Sequence, residues 1–326
     1  MIGRADAQNQ ESGNTMNSVD VVGTGFTVLD RVYIDDSRLA SEALGGTCGN
    51  VLLSLAMLQR CVAPVLNLGM DEVGGRLVGE FSGAGAETRF IRRRQGRLSP
   101  IIAQHLDTTQ GRHFFAFTCP ETDRALPRYE SIEQEDVEHA LPILTDCTIF
   151  YTDRLSEAIV AAMEAAANAG AIVYFEPSVI KRHDLFDRAV SVSSVLKFSS
   201  ERLGSLADSC DLPREAISIV THGEEGLELR KGKHRRWSRS FPTSVVRDTC
   251  GSGDMVSVGL IDWLITLRAS HDLTLDIETV VPGVEAGQRL AAENCAFAGA
   301  RGVFAMRGAA YARAVLDRSA AMSRCD

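Results

Sequence analysis

The chain has 326 residues, 45% hydrophobic and 24% charged, with 34 Lys and Arg against 43 Asp and Glu for a formal net charge of −9. That length suits one large α/β domain or two medium ones and excludes a small fold held by disulfide or metal staples. The acidic balance and the lack of any run of about 18 apolar residues or of a signal-peptide core argue against nucleic-acid binding, a membrane span or export, so a cytoplasmic protein is expected.

Residues 1–18 are polar and aperiodic and are predicted to be a disordered tail, followed by a single domain over 19–326. From Val19 onward short apolar runs alternate with longer helical segments. The pattern predicts strands at Val19–Val22, Val65–Leu68, Ile101–His105, Phe114–Phe117, Thr148–Tyr151, Ile172–Phe175, Val195–Phe198 and Ile217–Thr221. Helices are predicted at Asn50–Leu58, Glu157–Ala169, Arg182–Ala189 and Asp254–Leu267. Fully apolar strands alternating with helices predict a mostly parallel sheet covered on both faces. Between Thr88 and Phe117 the texture changes, and an antiparallel pair outside the main sheet is predicted, forming a small β lid with segments near 31–43 and 86–119. Its arginines, Arg92, Arg93, Arg94 and Arg97, either recognise a phosphorylated sugar or form a charged, aggregation-blocking edge. No internal repeat or Pro-rich linker divides the chain. The eight cysteines are scattered without a CxxC pair and read as reduced thiols, and the seven histidines show no metal-binding spacing.

Glycine placement carries the chemistry, because backbone N–H groups approach an anion closely only where side chains are absent. Gly23-Thr24-Gly25-Phe26-Thr27-Val28 follows the first strand as a dinucleotide fingerprint would, but Val28 stands in the place of its third glycine. No GxxxxGK[ST] loop occurs. Gly45-Gly46-Thr47-Cys48-Gly49-Asn50 opens an apolar helix and either lets a ligand lie against backbone, with the Asn50 amide offered to hydroxyls, or is a plain turn capped by Asn50. Thr221-His222-Gly223-Glu224-Glu225-Gly226 suits a hairpin or a loop over a flat ligand. Asp248-Thr249-Cys250-Gly251-Ser252-Gly253-Asp254 joins the β-type run Ser244–Arg247 to an apolar helix, so free N–H groups and the positive end of a helix dipole converge where an anion would sit. Asp254 then either complements the dipole or accepts a proton from a hydroxyl. Cys250 is either a small packing residue or a thiol acidified by the helix end.

These motifs, in this order, resemble those of the ribokinase-like carbohydrate kinases, the PfkB family, over nearly the whole chain from Val19 to about Ala309. The resemblance implies a three-layer α/β/α fold with a mostly parallel central sheet and a small β lid. It implies transfer of the ATP γ-phosphoryl group to a hydroxyl of a sugar, nucleoside or sugar-like substrate, with Asp254 as base and Gly251, Ser252 and Gly253 as anion hole, Ser252 standing where Ala is usual. Asp30, Gly45, Gly46, Asn50 and Asp153 would contact substrate, although Asp153 could equally cap the helix that follows it. Thr221, Gly223 and Gly226 would bind the nucleotide, and Asn294 would line its adenine pocket or be a helix residue without a ligand. Mg2+ would bridge the phosphates, and a monovalent cation such as K+ would sit at backbone carbonyls around Asp248 and Cys250. The family's Asn-x-x-Glu motif for magnesium is replaced by Ser199-Ser200-Glu201-Arg202, where Glu201 takes the acidic place only with a one-residue shift. That departure keeps open an alternative, a sugar- or nucleoside-binding protein with little kinase activity. Pairing through the lid would give a homodimer.

Overall fold

The computed structural model describes residues 19–34, 38–107, 112–204, 213–243, 245–269 and 274–322, so the expected tail at 1–18 lies outside the described residues. The elements run β1 (Val21–Thr24), β2 (Val28–Ile34), β3 (Arg38–Gly45), α1 (Thr47–Met57), β4 (Val62–Pro64), β5 (Leu66–Gly69), α2 (Glu72–Gly83), β6 (Ile91–Arg94), β7 (Ile101–Asp107) and β8 (Arg112–Ala116). They continue with α3 (Gln134–Leu144), β9 (Ile149–Thr152), α4 (Glu157–Asn168), β10 (Ile172–Phe175), α5 (His183–Ser191), β11 (Val195–Ser199), α6 (Ser200–Leu203), β12 (Ile217–Thr221), β13 (Gly226–Lys231), β14 (His234–Arg239), α7 (Ser252–Arg268), α8 (Ile277–Asn294), α9 (Gly302–Arg307) and α10 (Ala309–Met322).

An eight-stranded sheet in the order β14-β13-β12-β11-β10-β9-β1-β4 forms the middle layer, parallel from β4 to β12 and antiparallel over β12, β13 and β14. Successive side chains of a strand point to opposite faces, and this divides the core in two. Val21, Ile149, Tyr151, Ile172, Tyr174 and Val195 pack against α1, α7 and α8 on one face. Val22, Phe150, Val173, Phe175 and Leu196 pack against α3, α4 and α5 on the other. Because both faces are covered, these strands are apolar without alternation, and the expected three-layer α/β/α architecture is observed.

The small β lid is a second, four-stranded sheet in the order β3-β2-β7-β8. The expected antiparallel pair is β7 and β8, but β7 runs parallel to β2, so the β2 and β3 strands that precede the first helix and the 101–116 hairpin form one sheet. Three expectations need correction. Val65–Leu68 does not enter the central sheet: β5 pairs with β6 as a separate two-stranded ribbon, and it is β4 that occupies the central edge. Arg92, Arg93 and Arg94 lie on β6 rather than in the lid, and Arg94 and Arg97 are ion-paired with Glu130, Glu133, Glu135 and Asp136 around the start of α3. Arg93 donates to the carbonyls of Gly69 and Asp71. Finally, Val245 to Arg247 form no strand, and Val245 and Val246 are exposed, so the signature loop hangs from an irregular segment. Among the described residues no helix is long and apolar enough to cross a membrane.

Candidate active site

The carboxyl ends of parallel strands open toward one edge of the sheet, where α/β folds collect their ligands. Glu176 follows β10 and Ser199 ends β11 there, and the start of α7 meets them. Gly251 caps α7 in the left-handed region, with φ of 75°, and a Cβ on it would stand 2.3 Å from the Ala300 carbonyl oxygen. Only glycine permits that turn and that approach, which leaves the first N–H groups of α7 clear of side chains.

Asp254 lies in the first turn of α7 and is buried. Its Oδ2 accepts from Asn50 Nδ2 at 2.7 Å. Burial, reinforced by the negative charge of Glu176, pushes the carboxyl up from 3.8 to about 7, against the pull of the Asn50 amide and the Lys197 ammonium. Asn50 does not cap its helix: α1 starts at Thr47 after Gly46, and Asn50 turns its side chain toward α7. Asp30, on β2, is also raised to about 7, by burial first, with Arg301 pulling down and Glu80 pushing up. Gly45 is there because a Cβ would meet the Asp30 carboxylate at 1.9 Å. Asp30, Gly45, Asn50 and Asp254, far apart in sequence, thus share one buried acidic pocket.

Three side chains of this pocket carry no motif and escape sequence reasoning. Lys197, inside the buried strand β11, pairs with Glu176. Glu176 Oε2 also accepts from Ser257 Oγ at 2.6 Å and Tyr151 Oη at 3.1 Å. Arg301, nearly buried, donates from Nη1 to Asn50 Oδ1 at 2.7 Å and has Glu80 Oε2 3.7 Å from Nη2. The available signal was a lysine in an otherwise apolar strand, since an unpaired buried ammonium is too costly to keep.

Other expected residues are occupied differently. Asp153 Oδ1 accepts from the Phe26 N–H at 2.8 Å and Oδ2 from Arg154 Nη1 at 2.9 Å, so both oxygens are held by the protein with one partner each. It does not cap α4 either: Ser156 does, accepting from the Ile159 N–H at 3.2 Å. Asn294 is buried and ties its amide to the carbonyls of Cys250 and Ala300 and the N–H of Val303, so it holds the signature loop to the segment before α9. Asp248 is buried too. It accepts from the N–H groups of Cys250 at 2.9 Å and Gly299 at 2.8 Å, and from Gln104 Nε2 at 3.3 Å, with His113 Nδ1 3.2 Å away. Burial would raise it, but His113 and the two N–H groups outweigh burial and hold it below the usual carboxylate value. Burial pushes the Cys250 thiol well up, which makes it a packing residue.

Thr221 ends β12, and Gly223 and Gly226 bound a one-turn 3-10 segment leading into β13, where the His222 N–H donates to the Gly226 carbonyl at 2.8 Å. The hairpin is therefore real, at the antiparallel end of the sheet. Glu201 is exposed in the short helix α6 after β11, which Ser199 caps by accepting from the Glu201 N–H at 3.2 Å. Among the described residues no three His, Cys, Asp or Glu side chains form a metal cage.

A model described as pfkB family carbohydrate kinase matches residues 16–301. The chain is 24% identical over 289 residues to a fructokinase of Klebsiella pneumoniae, covering 81% of this chain and 89% of that protein. It is 25% identical over 281 residues to a fructokinase of Solanum tuberosum, covering 79% and 85%. Among solved structures, a fructokinase with bound ATP from Xylella fastidiosa superposes with a TM-score of 0.73 at 20% identity, covering 93% of this chain and all of that one, 100%. A ribokinase from Giardia lamblia superposes with a TM-score of 0.76 at 13% identity, covering 95% and 100%.

Proposed function

This chain belongs to the pfkB family of carbohydrate kinases, and from that premise we propose that it moves the γ-phosphoryl group of ATP to a hydroxyl of a sugar or sugar-like substrate, with Asp254 as general base. The observation that carries the reading is the state of Asp254: a buried carboxyl raised to about 7, in the first turn of a helix whose N-terminus has no side-chain cap. A carboxylate near 7 accepts a hydroxyl proton far better than one at 3.8 while still being ionised in part at neutral pH. In the proposed step the substrate oxygen bonds to the γ-phosphorus as its proton passes to Asp254, and the bond from that phosphorus to the bridging oxygen breaks, leaving ADP. The N–H groups of Gly251 and Gly253 stabilise the phosphoryl oxygens, together with that of Ser252, which also donates to the Thr249 carbonyl at 3.2 Å. Asp30, Gly45, Gly46 and Asn50 would hold the acceptor, and the Thr221–Gly226 turn the nucleotide.

Mg2+, when bound, neutralises phosphate charge. Magnesium usually takes one or two carboxylates plus phosphates and water, so exposed Glu201 near the end of β11 fits an ion that arrives with ATP. The two fructokinase relatives make fructose the first acceptor to test, followed by other hexoses, pentoses, sugar phosphates and nucleosides. ADP release with ATP and magnesium, in buffers with and without K+, checks the reading, whereas sugar binding without ADP would favour a non-catalytic binding protein. A homodimer through the lid is supported by its free edges β3 and β8 and by exposed Phe114 and Phe115, and light scattering of the purified protein would test it.

A further inference from the structure

We propose that Arg301 is a positioning residue of this site, locking the amide of Asn50 in the one orientation that presents its NH2 group to Asp254. The inference deepens the proposed function and rests on Asp254 being the base. A guanidinium only donates, so the atom of Asn50 that faces Arg301 Nη1 at 2.7 Å is Oδ1. An ionised carboxylate only accepts, so the atom that faces Asp254 Oδ2 at 2.7 Å is Nδ2. The amide is held between a donor and an acceptor and has a single satisfied orientation. Without Arg301 the amide is free to turn and offer Oδ1 to a protonated Asp254, which favours the acid form instead of the base.

Arg301 owes its place to the backbone segment that supports the anion loop. It follows Ala300, against which Gly251 packs, and it caps α9. Its guanidinium faces carboxylates from three elements, Glu80 of α2, Asp30 of β2 and Asp254 of α7, and burial makes it less basic than usual against their pull. Asp254 is faced in addition by Glu176 after β10, Lys197 of β11 and Asp153 after β9. The buried Cys48 of α1, Tyr151 of β9 and Cys250 of the loop also lie within its field. Lys197 is paired with Glu176 and still draws the Asp254 carboxyl down, while Arg301 is the guanidinium on which Glu80, Asp30 and Asp254 all act.

The test is the pH dependence of kcat/KM from pH 5.5 to 9.5 for wild type, Arg301→Met, Arg301→Gln and Asp254→Asn, each checked for folding by thermal unfolding. Arg301→Met is expected to move the acid limb upward by about one pH unit, the scale of a lost neighbouring charge. That is a loss of roughly fivefold at pH 7, approaching tenfold at lower pH, which recovers on the alkaline side. Arg301→Gln still donates an N–H to Asn50 Oδ1 and is expected to shift the limb less. An acid limb unmoved in both variants, with any loss uniform across pH, overturns the positioning role. If Arg301→Met does not fold, the Gln variant decides by the same criterion. Full turnover in Asp254→Asn would instead overturn the base assignment, a separate outcome.

Discussion

Asp248 and Asp254 stand at the two ends of one loop, are both buried, and titrate in opposite directions. Asp248 is surrounded by donors, two backbone N–H groups and the Gln104 amide, with the His113 imidazole 3.2 Å away. Asp254 receives one amide and faces Glu176 and Asp153. Burial disfavours the charge in both, so the donors decide which carboxylate stays firmly ionised and which one can take a proton near neutrality. The first pins the loop to the lid and to the segment before α9, and the second is the base of the proposed reaction.

The sharpest test of that contrast is Asp254→Asn, expected to lower kcat by about 10²–10⁴, the usual weight of a general base. The same variant should melt higher than wild type at pH 8. A carboxyl raised from 3.8 to about 7 keeps a proton in the folded chain that the unfolded chain has released, so its contribution to stability falls as pH rises through that window. A lower melting temperature at pH 8 would contradict a desolvated carboxylate. Glu176→Gln should shift the acid limb of kcat/KM downward, because the charge that raises Asp254 is gone. It should also cost about 3 kcal/mol in denaturant unfolding, since Lys197 is left buried and unpaired.

Asp248→Asn is expected to cost about 2 kcal/mol at pH 7, the scale of hydrogen bonds to a charged group, without moving the acid limb. Its carboxyl is depressed below 3.8, so its stabilisation is present above that value and is lost as pH falls through the folded pKa. Wild type and variant should therefore converge in stability in strong acid. The smallest effect is expected for Gln104→Ala, about 1 kcal/mol of stability with the rate profile unchanged, because the two N–H groups still hold Asp248.

Much of the molecule was legible from residues alone where the physics is local. Apolar runs such as Ile172–Phe175 and Ile217–Thr221 are strands because a doubly covered sheet demands them, and Gly251 and Asp254 announce a helix start that can face an anion. The two valines at 245 and 246 misled because β propensity says nothing about whether a partner strand is within reach. Arg92 and Arg94 misled because their acidic partners around the start of α3 are distant in sequence, and Arg93 because the carbonyls of Gly69 and Asp71 take its guanidinium. Asp153 and Asn294 carry the right chemistry for a ligand, yet neighbours from β1 to α9 occupy their polar atoms.

By itself, then, the sequence determined the alternation of elements, the glycines that keep backbone bare, and the family to which those motifs belong, since each depends on neighbours along the chain. Which carboxylates are ionised was decided only by the tertiary structure. That outcome depends on donors and charges brought together from opposite ends of the chain, Asn50 with Asp254 and Arg301, Asp30 with Glu80, Gln104 with Asp248, and on the burial that makes each of those contacts count.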